Sequence, residues 1–192
     1  MIIYLHGFNS TPSSHKARTM AAWMAARGLG ARFVCPALPD LPHQAIRLIE
    51  SELARHEVSQ ATFVGSSLGG YYATWLAEKH DARAVLINPA IRPYIGLEAY
   101  LGTQNNPHTG AEYKLTREHL AQWCALEAPR IDPERYLLLL ETGDAVLDWR
   151  EAALRYEGAR MSVRDGGDHT LQSFPEHLPR ILAFAGLKHG TD

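Results

Sequence analysis

Residues 61–70 read ATFVGSSLGG, an apolar run followed by a glycine-rich turn with a Gly-x-Ser-x-Gly motif centred on Ser67. The run from Ala61 to Val64 predicts a strand, and the residues from Tyr71 to Lys79 predict a helix. A serine between two glycines at such a strand-to-helix turn is typical of a nucleophile elbow, whose strained backbone lifts the hydroxyl off the sheet edge. Ser67 is therefore the candidate nucleophile, whereas Ser66 is not centred between glycines.

Two other interpretations of this turn involve no nucleophile. A glycine-rich connection can be purely structural, and the letters GSSLGG can be mistaken for a phosphate-binding loop. A dinucleotide fingerprint requires G-x-G-x-x-G, and a P-loop requires a lysine followed by serine or threonine. Residues 65–70 contain neither pattern, so the nucleophile interpretation is favoured.

Length, composition and charge limit the class of protein. The chain has 192 residues, 46% of them hydrophobic, which predicts a single domain with one core over residues 1–192. A net charge of −2 and a pI near 6.5 disfavour nucleic acid as a partner. The N-terminal run from Met1 to Leu5 lacks the features of a signal peptide, and no run approaches the roughly 20 apolar residues of a membrane span. These features predict a cytoplasmic protein that does not bind membranes.

Short apolar runs alternate with helix-length segments along the chain. The predicted strands are 2–5, 32–35, 62–64, 84–87, 136–141 and 161–163, and the predicted helices are 16–27, 43–56, 68–80, 148–156 and 175–184. This alternation predicts a compact α/β fold with a mostly parallel six-stranded sheet and helices on both faces. In such sheets the ligand site lies at the carboxyl ends of the strands.

The alternation is interrupted between residues 88 and 135, a gap far longer than an ordinary connection. Residues 102–110 are polar and turn-rich, and residues 115–126 have helical periodicity with Trp123 on the apolar side. We interpret the segment at about 91–129 as a small cap over the active site. The alternative is a surface excursion with its own packing.

An acid and a base are expected on the loops after the last two strands. Asp144 lies in the loop after strand 136–141, where it can orient an imidazole, while Asp148 is better placed to cap the following helix. His169 lies in a glycine-rich loop just before the last helix. Ser67, Asp144 and His169 therefore follow the chain order of an α/β-hydrolase triad, although turn chemistry and capping also explain both aspartates.

The loop after the first strand is the expected oxyanion site. Gly7 follows His6 there and lets the backbone turn, so that the amide of Phe8 faces the site. The amides of Phe8 and Leu68 are the predicted oxyanion donors. His6 is expected to brace this loop rather than to transfer protons.

With these residues in place, the sequence resembles the small bacterial YqiA-type esterases of the α/β-hydrolase superfamily. The resemblance implies an α/β-hydrolase fold, with Ser67 as nucleophile, Asp144 as acid and His169 as base. The chain departs from the family at Ala145, where an acidic residue is expected, and at Leu171, where an aromatic one is expected. The segments that resemble the family are YLHGFNS at 4–10, VGSSLGGYYATWL at 64–76, NPAIRP at 88–93, TGD at 142–144 and GGDH at 166–169.

The triad and the resemblance together lead us to expect a serine esterase that cleaves small acyl esters through an acyl-enzyme. No cofactor is expected, and no histidine falls in a spacing such as HExxH that would indicate a metal site. Acyl thioester cleavage is a close variant, because the same site can expel a thiolate. The alternative from a different class is a non-catalytic α/β-hydrolase used for binding.

The predicted cap also suggests how the substrate is held. Tyr94, Leu97 and Trp123 are expected to supply apolar walls of the substrate pocket. Because a chain of this length has little material for a deep tunnel, short to medium acyl groups are expected.

Overall fold

The structure is a computed structural model that describes residues 1–56 and 58–187. Strands and helices alternate along most of the chain. The elements are β1 (Ile2–Leu5), α1 (His15–Ala25), β2 (Phe33–Val34), α2 (Pro42–Leu53), β3 (Thr62–Ser66), α3 (Leu68–His80), β4 (Arg83–Ile87), α4 (Pro93–Gly96), β5 (Gly102–Asn105), β6 (Glu112–Leu115), α5 (Arg117–Cys124), β7 (Tyr136–Glu141), α6 (Trp149–Arg155), β8 (Arg160–Arg164) and α7 (Phe174–Phe184).

Within the described residues, six strands form one parallel sheet in the order β2-β1-β3-β4-β7-β8. Val64 on β3 pairs with Tyr4 on β1 and with Val85 on β4. The predicted six-stranded parallel sheet is therefore confirmed. Because all six strands run in the same direction, their carboxyl ends meet at one edge, where the loops after β1, β3, β7 and β8 come together.

The central strands are buried on both faces, so their alternating side chains enter two hydrophobic cores. On β1, Ile3 and Leu5 pack into the core covered by α2, α3 and α5, while Ile2 and Tyr4 pack into the core covered by α1 and α7. Helices therefore lie on both faces, as predicted. No helix in residues 1–56 and 58–187 is both long and apolar enough to cross a membrane.

The predicted bounds agree best for the elements with the most continuous patterns. β1, β7 and α3 have the predicted limits, whereas β2 has only two of the four predicted residues. A 3₁₀ turn at Gly30–Arg32 precedes β2, and Pro36, which has no amide hydrogen for a ladder, follows shortly after it. β2 is therefore a short edge strand.

The segment between β4 and β7 differs from its prediction. Residues 102–110 were expected to be turn-rich, but β5 pairs with β6 as an antiparallel hairpin with Gln104 opposite Tyr113. The helix predicted at 115–126 begins later, because Leu115 ends β6. The Thr116 amide donates to Nδ1 of His119 (3.1 Å), as part of a capping box that fixes the start of α5.

The hairpin is tied to the loops that follow β1 and β2. The Tyr113 hydroxyl donates to Oδ1 of Asn9 (2.6 Å), and Nδ2 of Asn106 donates to Oδ1 of Asp40 (2.7 Å). Asn106 is 2% exposed, so its hydrogen bond is shielded from water. These contacts hold the insertion against the sheet edge that carries the candidate site.

The turn between β3 and α3 needs glycine because the backbones approach closely. A Cβ on Gly65 would lie 2.2 Å from the Gly69 carbonyl oxygen, and one on Gly69 would lie 2.0 Å from the Leu5 carbonyl oxygen. A Cβ on Gly70 would lie 2.7 Å from Cβ of Pro89. Real Cβ atoms essentially never come within 3.0 Å of such neighbours, so the glycines permit the contact of α3 with β1 and β4.

Gly69→Ala should lower the free energy of unfolding by about 1–3 kcal/mol or more, since the new methyl group meets backbone rather than a flexible side chain. Gly96→Ala is the matched control. Gly96 has an ordinary helical φ of −63°, and a Cβ there meets nothing within 4 Å. Urea unfolding monitored by circular dichroism should show a reduced midpoint for Gly69→Ala and a nearly unchanged one for Gly96→Ala. Equal midpoints would contradict the packing described.

Candidate active site

Ser67 has a backbone conformation that few residues with a side chain adopt. Its φ is +55° and its ψ is −121°, directly between β3 and α3. Three backbone hydrogen bonds hold it: its amide donates to the Ile87 carbonyl (3.0 Å), and its carbonyl accepts from Gly70 (2.9 Å) and Ala90 (3.1 Å). The surrounding structure thus imposes the strain, as at a nucleophile elbow.

The structure brings Asp144 and His169 together. Asp144 lies after β7 and His169 lies after β8, and Nδ1 of His169 is 2.7 Å from Oδ2 of Asp144. The Asp144 side chain is 1% exposed, and that of His169 is 25% exposed. Since Nδ1 is occupied by the carboxylate, Nε2 is the ring nitrogen available for proton transfer.

The other oxygen of Asp144 is held by its own loop. Oδ1 accepts hydrogen bonds from the amides of Val146 (2.8 Å) and Leu147 (2.9 Å), so the carboxylate cannot rotate freely. Asp148 plays a different part, because its Oδ1 accepts from the Arg150 amide (2.9 Å) at the start of α6. The geometry therefore separates the two aspartates into a partner for histidine and a helix cap.

Ser67 and His169 line one cavity, although the structure has no hydrogen bond between these two described side chains. Such contacts are often long before substrate binds. A second cavity also has Ser67 on its wall, but His169 does not line it. Ser67 therefore lies between two cavities, and only one of them is also lined by His169.

The two predicted oxyanion donors lie beside Ser67. Leu68 is the first residue of α3, and Phe8 follows Gly7, where a Cβ would lie 3.3 Å from Cβ of Ser67. Within the described part of the chain, neither the Phe8 nor the Leu68 amide donates to a backbone carbonyl. Both amides are thus free to donate to an oxygen that develops negative charge.

His6 braces the loop that carries Phe8. It is 4% exposed, its Nε2 accepts from the Leu38 amide (3.0 Å), and its Nδ1 lies 3.1 Å from the Gly7 carbonyl. Burial lowers the pKa of His6, which favours the neutral ring that these contacts require. The position agrees with the bracing part expected from the sequence.

Glu141 is a site residue that the sequence analysis missed. It ends β7, is 1% exposed, and accepts hydrogen bonds from the amides of Asp168 (2.9 Å), Gln172 (3.0 Å) and Ser173 (2.9 Å) and from the Ser173 hydroxyl (2.6 Å). Burial alone would raise the pKa of Glu141, but these hydrogen bonds outweigh it and hold the pKa below its usual range. The ionised carboxylate therefore shapes the loop around His169.

Asn88 is a second missed residue, at the end of β4. It is 2% exposed, and its Nδ2 donates to the carbonyls of Asp168 (3.0 Å) and His169 (3.3 Å). Its Oδ1 accepts from the Glu141 amide (3.1 Å), so it joins β7 to the histidine loop. A polar residue directly after an apolar strand is the signal that marks both Asn88 and Glu141.

The cavity without His169 is mainly apolar and has a volume of ≈ 410 Å³. Its walls come from the elbow, from residues 90–93, 95–97 and Tyr100, from Val146 and Leu147 after β7, and from Phe8 and Glu151. Leu97, one of the three residues expected to wall the substrate pocket, lies on this wall. The cavity is large enough for a small apolar group next to Ser67.

Two of the three residues expected to wall the substrate pocket lie elsewhere. Trp123 is 0% exposed in the core, where its Nε1 donates to the Tyr72 hydroxyl (2.8 Å) and its carbonyl accepts from the Tyr71 hydroxyl (2.7 Å). Tyr94 does not line this cavity, and its hydroxyl donates to Oε2 of Glu127 (2.6 Å), which follows the end of α5. Trp123 and Tyr94 therefore do not line the cavity beside Ser67, whereas Leu97 does.

Among the described residues, no group of three or more His, Cys, Asp or Glu side chains is arranged to hold a metal ion. The polar groups at the sheet edge are instead paired with one another or with backbone amides. The arrangement provides a hydroxyl, an oriented imidazole and two free amides, which are the groups that acyl transfer requires.

Comparison with solved structures identifies the fold. Alpha/beta hydrolase domain-containing protein 10 from mouse has a TM-score of 0.68 and 16% identity, covering 95% of this chain and 87% of that chain. The esterase domain of a Rhodothermus marinus protein has a TM-score of 0.66 and 16% identity, covering 96% of this chain and 85% of that chain. The chain therefore has the α/β-hydrolase fold, which the sequence resemblance implies.

Comparison with known sequences identifies the family. The UPF0227 protein YcfP of Salmonella paratyphi B is 26% identical over 200 residues, covering 97% of this chain and 99% of that protein. The model of the family described as "Uncharacterised protein family (UPF0227)" matches residues 1–186. This match includes the elbow and the loops of Asp144 and His169. Because it covers nearly the whole sequence, the chain belongs to the UPF0227 family.

Proposed function

We propose that this protein is a serine hydrolase that cleaves small carboxylic esters through an acyl-enzyme. The observation that carries the proposal is the strained Ser67 at the elbow, which shares a cavity with a histidine already paired to a buried aspartate. A structural turn would not need this arrangement. The likeness to an esterase domain supports the proposal through the fold on which such enzymes are built.

The geometry suggests how the reaction proceeds. Ser67 Oγ attacks the acyl carbonyl while Nε2 of His169 accepts its proton, and Asp144 stabilises the imidazolium that forms. The amides of Phe8 and Leu68 donate to the carbonyl oxygen as it becomes negative. His169 then returns the proton to the leaving group, and water cleaves the acyl-enzyme by the same steps.

We further propose that the insertion acts as a cap and that the apolar cavity holds the acyl group. Leu97, Ile91 and Pro93 of the insertion face Leu68 and Phe8 across this cavity. Its volume of ≈ 410 Å³ suits short to medium acyl chains. An acyl chain there would leave its carbonyl beside both oxyanion donors.

Ser67→Ala should lower kcat for ester hydrolysis by a factor on the order of 10⁶, since only binding and oxyanion stabilisation remain. Ser66→Ala is the matched control and should retain most activity. The rates are measured with 4-nitrophenyl butyrate, and labelling by a fluorophosphonate is measured by intact mass. If Ser67→Ala still reacted with the fluorophosphonate and still hydrolysed the ester, the assignment of the nucleophile would be wrong.

Asp144→Asn should lower kcat by about 10⁴, because the imidazole would lose the carboxylate that sets its tautomer. Asp148→Asn should leave kcat nearly unchanged, since asparagine also caps helices well. Steady-state kinetics on the same ester distinguishes the two variants. A larger loss of activity at Asp148 would transfer the catalytic part to that residue.

Leu97→Ala should reduce the gain in kcat/KM with acyl length, because each buried methylene contributes about 0.8 kcal/mol, or several-fold per carbon. Leu101→Ala is the control, since Leu101 belongs to the same segment but packs on the core rather than on the cavity. The measurement is kcat/KM for acetate, butyrate and hexanoate esters. Identical profiles for wild type and Leu97→Ala would show that this wall does not contact the acyl group.

A further inference from the structure

The cavity that Ser67 shares with His169 has a volume of ≈ 360 Å³ and differs from the other cavity in the charged residues that line it. Its walls come from the loop after β1, the start of α1, the tip of the β5–β6 hairpin and the histidine loop. None of the described residues that line it is an aspartate or a glutamate. Its lining does include Lys16, His15 and His108. This cavity is therefore a basic space next to the nucleophile.

The direction of proton transfer determines which part of a substrate enters this cavity. The base that accepts the Ser67 proton must return it to the leaving group, so the leaving group has to lie on the side of His169. His169 and Thr170 line the basic cavity and do not line the apolar one. The alcohol part of an ester would thus face Lys16, opposite the acyl part.

Lys16 is positioned to donate to a group in this cavity. Its Nζ donates to the Thr170 carbonyl (2.8 Å), and an ammonium has two further donors. The nearby carboxylates already have partners: Asp144 binds His169, Glu141 accepts from the histidine loop, and Asp168 accepts from Gln172 (2.8 Å). Among the residues that the structure describes, none therefore neutralises the Lys16 charge through a close ion pair.

Two polar features of α1 add to this arrangement. Oγ of Ser14 is buried without a hydrogen-bond partner in the described structure, and Ser14 lines the cavity. Ser14 also precedes the first turn of α1, an eleven-residue helix whose N-terminal amides favour negative charge. An anion placed here would receive donors from Lys16 and would be favoured by the N-terminus of this helix.

We propose that the basic cavity is the leaving-group subsite and that Lys16 makes the enzyme prefer esters whose alcohol part carries a negative charge, such as a carboxylate or a phosphate. This inference rests on the proposed serine hydrolase activity and specifies its substrate class. Burial lowers the pKa of Lys16 while Asp168, Asp144 and Glu141 oppose that shift, so a bound anion would add a favourable charge to a partly desolvated ammonium.

The reaction needs water as its only co-reactant. The bond from Ser67 Oγ to the acyl carbon forms as the serine proton passes to Nε2 of His169, and the bond from that carbon to the alcohol oxygen breaks. The proton then goes to the departing oxygen, and the charged alcohol leaves through the basic cavity. Water hydrolyses the acyl-enzyme to the free acid, with no oxidation or reduction.

The test compares two butyrate esters that share the acyl group, one of 4-nitrophenol and one of 3-carboxy-4-nitrophenol. Wild type should favour the carboxylate ester by about ten- to hundredfold in kcat/KM, as expected for one or two hydrogen bonds to a charged group. The preference should fall to near unity in Lys16→Gln and persist in part in Lys16→Arg. It should also weaken as salt is raised.

Lys79→Gln is the matched control, because Lys79 pairs with Glu50 away from both cavities and should keep the wild-type preference. A wild-type preference near unity, or one that Lys16→Gln does not change, would overturn this inference while leaving the esterase proposal intact. If neither ester were hydrolysed and Ser67 did not react with a fluorophosphonate, the proposed function would fail, and the inference with it.

Discussion

The close approach of α3 to β1 is the constraint on which the candidate site depends. Because Gly69 has no Cβ, the first turn of α3 can lie against the Leu5 carbonyl, and the preceding turn then holds Ser67 at a φ of +55°. The same packing places the loop of Phe8 beside Ser67 and leaves the Leu68 amide at the helix start. One backbone contact thus positions the hydroxyl and both candidate oxyanion donors.

The loop of His169, the candidate base, is held by polar contacts rather than by apolar packing. Glu141 and Asn88, both buried at strand ends, satisfy the amides and carbonyls of the loop around His169. These hydrogen bonds are needed because the backbone amides and carbonyls of a loop that lies away from water must have partners. The buried charge of Glu141 is stable because four hydrogen-bond donors surround it. The contact of Asp144 with His169 then only has to orient the imidazole ring.

The central strands and the elbow could be predicted because each has a continuous local pattern. The hairpin β5–β6 could not, since its strands are short and polar and depend on Asn9 and Asp40, which are distant in sequence. The prediction that Trp123 lines the pocket is wrong, because an apolar stripe on a helix indicates that a side chain is buried but not whether it faces the core or a cavity. The candidate triad residues follow strands at one edge, whereas Glu141 belongs to no familiar motif and Asn88 lies in a family segment, 88–93, that by itself indicates no contact with the histidine loop.

The central claim is that Ser67 separates an acyl side from a leaving-group side. A crystal structure of the protein inactivated with a butyl fluorophosphonate tests it most directly. The account predicts a bond from phosphorus to Ser67 Oγ, a phosphoryl oxygen that accepts from the amides of Phe8 and Leu68, and the butyl chain against Leu97 in the apolar cavity. Phosphorus on another residue, or the butyl chain beside Lys16 with the apolar cavity empty, would contradict it.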